Sequence, residues 1–404
     1  RIALVAGSTV LALLLGELAA RTMLRLSTAE LLSERHALVA QLPSQQQEPG
    51  RELHPYYGYV LPRGVPPADR EGFPSNGREP PYRREPREFV IGLFGGSVAA
   101  QLSRAPDALV DRLTPALRAR GFERVSLRSF AIGGWRQPQT FDALAKNAPD
   151  LDLMVSLEGF NEIHWLGDDR LRGHPADYPA GQVYSLLIGA GREEDVLLRA
   201  ELIRANRAAA AFTAWFDAWP LASSRIAHLV WRLYARRYLA RATALRAALE
   251  QSAAEERHRA DAVRSDEEVV ARRDRYFALY EHLVRASQAI AETTGTLFFD
   301  FIQPNLHDAG AKKLSAEEQK LAAMDPDLDG ITTRGYQRLE EMVTRLQKQG
   351  VRIHSLTKLF RDVAETRYID SCCHFNDAGV ARLGEAMAEQ ILASHALDRV
   401  SPRR

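Results

Sequence analysis

Residues 88–97 read EFVIGLFGGS, a short apolar stretch from Glu88 to Phe94 that stops at Gly95-Gly96-Ser97. A strand with one wet face alternates polar and apolar residues. An unbroken apolar run instead suits a strand buried on both faces, as in a parallel sheet covered by helices. A helical stretch follows over roughly residues 98–120, closed by Gly121. Similar runs recur downstream. Arg124 to Ile132 ends at Gly133-Gly134, and Leu151 to Leu157 ends at Glu158-Gly159-Phe160-Asn161. Thr296 to Ile302 ends at Gln303-Pro304-Asn305, and Val351 to Ser355 gives a weaker last strand. Pro138 to Asn147 reads as a helix. Strands alternating with helices pair in parallel through right-handed crossovers. The expected fold is therefore α/β, a three-layer α/β/α sandwich with about five parallel strands.

Outside this core lie an insertion and an N-terminal portion. About 135 residues separate the third and fourth strands, far more than a crossover needs. Residues 195–290 therefore read as a helical insertion, rich in tryptophan (Trp215, Trp219, Trp231) and arginine (Arg225, Arg232, Arg236, Arg237, Arg241, Arg246). Either a lipid-facing cap or a helical hairpin with a solvated basic face fits that composition. At the start, Ile2 to Gly16 is uncharged and mostly apolar, and Leu18, Ala19 and Ala20 extend it past Glu17. A membrane span needs about 20 apolar residues. Residues 1–26 read as a membrane anchor or signal helix, with an amphipathic core helix as the alternative. Residues 27–50 read as a polar helical stalk, and 54–87 as an extended segment wrapping over a domain. The α/β core then occupies 88–404 with the insertion inside it.

Composition sets further bounds. The 404 residues are 46% hydrophobic and 26% charged, with a formal net charge of +1. Such a chain buries a core without disulfides, and nothing in it steers toward nucleic acid. Its two cysteines, Cys372 and Cys373, are adjacent. They read as small buried thiols, with a strained vicinal disulfide as the alternative.

Sites in parallel α/β sheets form outside the carboxyl ends of the strands. Those ends deliver Ser97, Gly133 and Gly134, Gly159 and Asn161, then Gln303 and Asn305, while Asp370 and His374 stand near the C-terminus before a helix from about Asp377 to Leu392. A serine hydroxyl needs a base to become a nucleophile, and histidine ionises in the right range. A carboxylate such as Asp370 holds the imidazole in one tautomer. Backbone N–H groups at Ser97 and Gly134 and the Asn161 amide are suitable donors to an oxyanion. Gln303, Asn305 and His307 are candidate pocket residues, with loop hydrogen bonding as the alternative. His164 and Trp165 could shape a pocket or pack in the core. Asp325, Asp327, Asp329 and Gly330 resemble the start of a calcium loop, but Tyr336 stands where a bidentate glutamate is needed. A solvated turn leading into a helix is expected there, and no metal or cofactor is required for the proposed chemistry.

The blocks FGGSVAA (94–100), FAIGGWRQPQTF (130–141), LEGFNEI (157–163) and DSCCHFNDAG (370–379) together resemble the SGNH, or GDSL-type, hydrolase superfamily. The phrases GFNE, CHFNDAG and HPYYGYVLP (54–62) resemble a bacterial membrane-anchored branch of it. The resemblance implies a flavodoxin-like fold and a serine esterase, lipase or acetylesterase. In it Ser97 would be the nucleophile, Gly134 and Asn161 would join the oxyanion hole, and Asp370 and His374 would complete the triad. It also implies small acyl esters or O-acylated cell-envelope glycans as substrates, with the catalytic domain periplasmic or extracellular. An O-acyltransferase using the same residues, or a silent glycan-binding scaffold, are the alternatives. The sequence departs from the family pattern twice. Gly96 stands where Asp is usual, and three residues rather than two separate Asp370 from His374. Oligomeric state is not readable.

Overall fold

The computed structural model describes residues 2–41, 51–75, 80, 85–164, 193–263 and 266–402. In chain order, α1 (Ile2–Met23) and α2 (Thr28–Gln41) precede a two-stranded antiparallel hairpin, β1 (Glu52–His54) and β2 (Gly58–Val60). Then come β3 (Glu88–Gly95), α3 (Ser97–Arg104), α4 (Asp107–Arg118), β4 (Arg124–Ala131), α5 (Gln139–Asn147), β5 (Leu153–Glu158) and α6 (Phe160–His164). Long helices α7 (Glu193–Asp217), α8 (Arg225–Val263) and α9 (Asp266–Thr294) follow. The chain ends with β6 (Leu297–Ile302), α10 (Ala316–Ala322), α11 (Asp327–Lys348), β7 (Ile353–Ser355) and α12 (Asp377–Ala393).

Strands β4-β3-β5-β6-β7 form one sheet in that order, and every pair in it is parallel. This is the three-layer α/β/α sandwich expected from the sequence, with the flavodoxin-like strand order. The unbroken β3 run has the cause inferred for it. Phe89, Ile91 and Leu93 point into a layer formed with α3, α4 and α12, while Val90 and Phe94 point into a second layer with α5, α9 and α11. Burying each such side chain contributes about 1.5–3 kcal/mol. The order of strands reverses between β3 and β5, so their carboxyl ends border the crevice where sites form in such sheets.

The chain divides into two compact units, Arg1–Pro49 with Ala190–Arg259, and Gly50–Gly189 with Ala260–Arg404. Helix α9 belongs to the sheet unit, because Tyr280, Val284 and Ala291 fill its second core layer. The helical insertion expected over 195–290 thus ends earlier than its sequence pattern suggested. In the helical unit, Trp231, Tyr238, Phe216 and Ala209 form a separate small core with Leu38.

The membrane-anchor reading of residues 1–26 needs correction. Among the described residues, no helix is long and apolar enough to cross a membrane, so the expected transmembrane helix is not found. Glu17 interrupts the apolar run and is engaged within the helical unit. Its carboxylate accepts hydrogen bonds from the backbone N–H groups of Arg225 (2.9 Å) and Ile226 (3.2 Å) and from the Ser224 hydroxyl (2.8 Å). Glu17 therefore caps the start of α8, where the unsatisfied N–H groups and the helix dipole favour an anion.

Candidate active site

Ser97 is the first residue of α3, directly beyond β3 at the crevice. Val98, Ala99 and Leu102 bury one face of this helix against the sheet, which leaves Ser97 half-buried at its exposed end. Gly96 is needed for a close approach. A Cβ there would lie 2.3 Å from Asn161 Nδ2 and 3.1 Å from the Trp135 carbonyl oxygen. The Asn161 amide therefore occupies the space a side chain at 96 would fill, which accounts for the glycine at this position.

Asp370 and His374 form a pair. Asp370 Oδ2 is hydrogen-bonded to His374 Nδ1. Its Oδ1 accepts from the backbone N–H groups of Cys372 (3.0 Å), Cys373 (3.0 Å) and His374 (3.2 Å). The backbone from Asp370 to His374 is thus a turn wound around the carboxylate. Burial works against ionisation of Asp370, but the His374 ring and these N–H donors outweigh it and hold the pKa at about 2. The carboxylate is thus ionised throughout the neutral range, as a partner of an imidazole must be.

Residues on both sides of His374 touch the Ser97 helix. Gln101, one turn past Ser97, donates to the Phe375 carbonyl oxygen (3.2 Å) and accepts from the Phe375 N–H (3.2 Å). The Ser97 hydroxyl lies near enough to the buried Cys373 thiol to act on its ionisation. The His374 ring itself bonds Asp370 and makes no hydrogen bond to Ser97 among the described residues. Such bonds often tighten only when substrate binds.

The other side of the candidate site is built from the β4–α5 loop and the start of α6. A Cβ on Gly133 would come within 3.8 Å of the Ser97 Cβ, and Gly134 has a φ of 81°, which glycine adopts without strain. Asn161 Nδ2 donates to the Trp135 carbonyl oxygen at 2.8 Å. Buried Glu162 locks this arrangement, accepting from the Gly159 N–H (2.7 Å) and the Gln137 N–H (3.2 Å). Gln137 Nε2 in turn donates to both oxygens of buried Glu158 (3.0 Å each). The wrapping segment braces the same loop from outside. Tyr59 OH donates to the Gly133 carbonyl oxygen (3.1 Å), and Trp135 Nε1 donates to the Tyr59 carbonyl oxygen (3.0 Å). Ser97, Gly134, Asn161, Asp370 and His374, distant in sequence, are all half-buried around one end of the sheet.

Gln303 and Asn305 take other places. Asn305 is fully buried, and its amide donates to the Cys372 carbonyl oxygen (2.9 Å) while its Oδ1 accepts from the His307 N–H (2.8 Å). His307 reaches the Ser371 carbonyl oxygen through Nε2 (2.6 Å) and Asp329 through Nδ1 (2.6 Å). Asp325 accepts from the Ser371 hydroxyl at 2.8 Å. Asn305, His307, Asp325 and Asp329 therefore brace the Asp370–His374 turn. Gln303 is buried as well. His164 stacks on Phe160 with ring centroids 5.3 Å apart, and Trp165 lies outside the described residues. The α12 cap is Asn376, which accepts from the Gly379 N–H at 2.9 Å.

Gln101 and Glu162 escaped the sequence reading, while Asn305 takes the loop hydrogen bonding given as its alternative. Gln101 alone left a signal, lying four residues past Ser97 and so on the same helix face.

No protein-family model matches the chain, and no curated protein matches it.

Proposed function

We propose that the chain is a serine ester hydrolase of the SGNH type that works through an acyl-enzyme on Ser97. The observation that carries this reading is the pair formed by ionised Asp370 and His374, tied by Gln101 and Cys373 to the helix that Ser97 begins. In the first step Ser97 Oγ attacks the acyl carbon of an ester while His374 Nε2 takes the hydroxyl proton. The C=O electron pair moves onto oxygen, where the Ser97 and Gly134 N–H groups and Asn161 Nδ2 receive it. The intermediate collapses, the ester C–O bond breaks, and His374 returns its proton to the departing alcohol. In the second step water gives its proton to His374 and attacks the acyl carbon. Ser97 leaves with that proton and the carboxylic acid is released. Asp370 stays ionised and stabilises the imidazolium formed in each step.

The test is hydrolysis of p-nitrophenyl acetate and butyrate by the full chain beside Ser97→Ala. The reading expects hydrolysis well above the buffer rate for the wild type, falling to that rate in the variant. Equal rates in wild type, variant and buffer would overturn it.

A further inference from the structure

The triad as described makes no use of two thiols that stand next to it. Cys372 Sγ and Cys373 Sγ are 2.8 Å apart, and both are free thiols. These sulfurs and a ring nitrogen of His374 all lie within 4.8 Å of one another, and this is the grouping of His, Cys, Asp or Glu among the described residues able to hold a metal ion. Cys373 is buried, while Cys372 and His374 are half-buried, so the cluster is partly open to solvent. Asp370 grips the His374 ring and three consecutive backbone N–H groups of this turn, which fixes where all three donor side chains begin.

Two sulfurs and an imidazole form a soft donor set, suited to zinc and its congeners and unsuited to magnesium or calcium. In a tetrahedral site with Zn–S near 2.3 Å and Zn–N near 2.0 Å, donor atoms sit about 3.5–3.8 Å apart. The sulfurs would need to part by about 1 Å and the ring nitrogen to approach by a similar amount. The half-buried Cys372 side chain has the freedom for such a shift. The Ser97 hydroxyl, already beside Cys373, or a water would complete the coordination.

We propose that Cys372, Cys373 and His374 form a binding site for one thiophilic divalent cation of the zinc class, and that its occupancy silences Ser97. Binding exchanges two thiol protons for one M2+, and the protons pass to solvent. With His374 committed to the metal, no base remains to take the Ser97 proton. This inhibitory consequence rests on the hydrolase reading, whereas the binding itself does not.

The experiment titrates the reduced, chelator-stripped full chain with Cd2+ and follows thiolate-to-metal absorption in the ultraviolet, then displaces Cd2+ with Zn2+. One Cd2+ per chain is expected, displaced by Zn2+ and not by Mg2+ or Ca2+. Cys372→Ser, the substitution least damaging to packing, should weaken binding by on the order of 100-fold, and His374→Gln by at least about tenfold. Absence of thiolate absorption, or affinity unchanged in either variant, overturns the site. In parallel, the ratio of esterase rates with and without Zn2+ should fall well below one in the wild type and move toward one in Cys372→Ser. A chain that binds Cd2+ as expected and hydrolyses no ester leaves the site standing and removes the proposed function. A chain that hydrolyses esters and binds no Cd2+ does the reverse.

Discussion

Asp300 offers a test of the buried acidic layer beneath the site that needs no substrate. It lies on β6, fully buried, opposite Ser156 of β5 on the sheet face covered by α9 and α11. Burial, then the charge of Glu162, push its pKa up to about 8, against a weaker downward pull from the Phe301 N–H and the Ser156 hydroxyl. An aspartate in the unfolded chain ionises near 3.8. Between those values the unfolded state has lost a proton that the folded state keeps. Stability contributed by this group is therefore full below pH 3.8 and is lost as pH rises toward 8. Each pH unit inside the window costs about 1.4 kcal/mol, so from pH 5 to pH 8 the loss is about 4 kcal/mol at most, since Glu162 shares the burden. Asp300→Asn keeps the shape and removes the proton. Amide hydrogen exchange of β5 and β6 peptides, corrected for the pH dependence of the intrinsic rate, reads the opening free energy of the sheet unit by itself. The variant should match the wild type within about 1–2 kcal/mol at pH 5 and exceed it by several kcal/mol at pH 8. Parallel pH profiles for the two chains would refute the reasoning.

Other substitutions read the site directly. Asp370→Asn should leave the fold and KM nearly unchanged and lower kcat for p-nitrophenyl acetate by on the order of 10⁴, because the amide favours the wrong imidazole tautomer. Gln101→Ala frees the Phe375 backbone and should lower kcat by about 10- to 100-fold, the loss expected when a base drifts by about 1 Å. Gln101→Glu, which cannot donate to the Phe375 carbonyl, should not rescue it. Gly96→Ala drives a methyl into the Asn161 amide, and kcat should fall by about 10²–10³, the usual effect of losing one oxyanion donor. Its far-ultraviolet circular dichroism should stay unchanged.

The sheet was legible because its central strands are buried on both faces. The Glu88–Phe94 run has no other comfortable home, and the glycines and polar residues that end each run mark the edge where side chains turn toward solvent. The helical regions were less legible. Helices α8 and α9 read in sequence as one helical insertion, yet one packs in the small helical unit and the other on the sheet, and a helical pattern does not say which partner a face will meet. Residues 2–16 carry enough apolar side chains to suggest an anchor, but Glu17 acts through a cap 208 residues away in sequence. At the site, Ser97, Gly134 and Asn161 could be picked out because strand ends concentrate functional groups, and Asp370 and His374 because they stand together just before the C-terminal helix. Asn305 stood at such an end too, but its amide is spent on the Cys372 carbonyl, a long-range hydrogen bond that leaves no local mark. Gly96 could be noticed as a departure, yet only the position of the Asn161 amide explains it.

The most direct test of the central claim is labelling of the full chain with a fluorophosphonate, followed by peptide mass spectrometry. Such a probe bonds covalently to a serine only where a base and an oxyanion site are assembled around it. The account predicts one adduct, on Ser97, lost in Ser97→Ala and strongly slowed in His374→Gln. A folded chain that takes no label on Ser97, or labels equally well without His374, would contradict it.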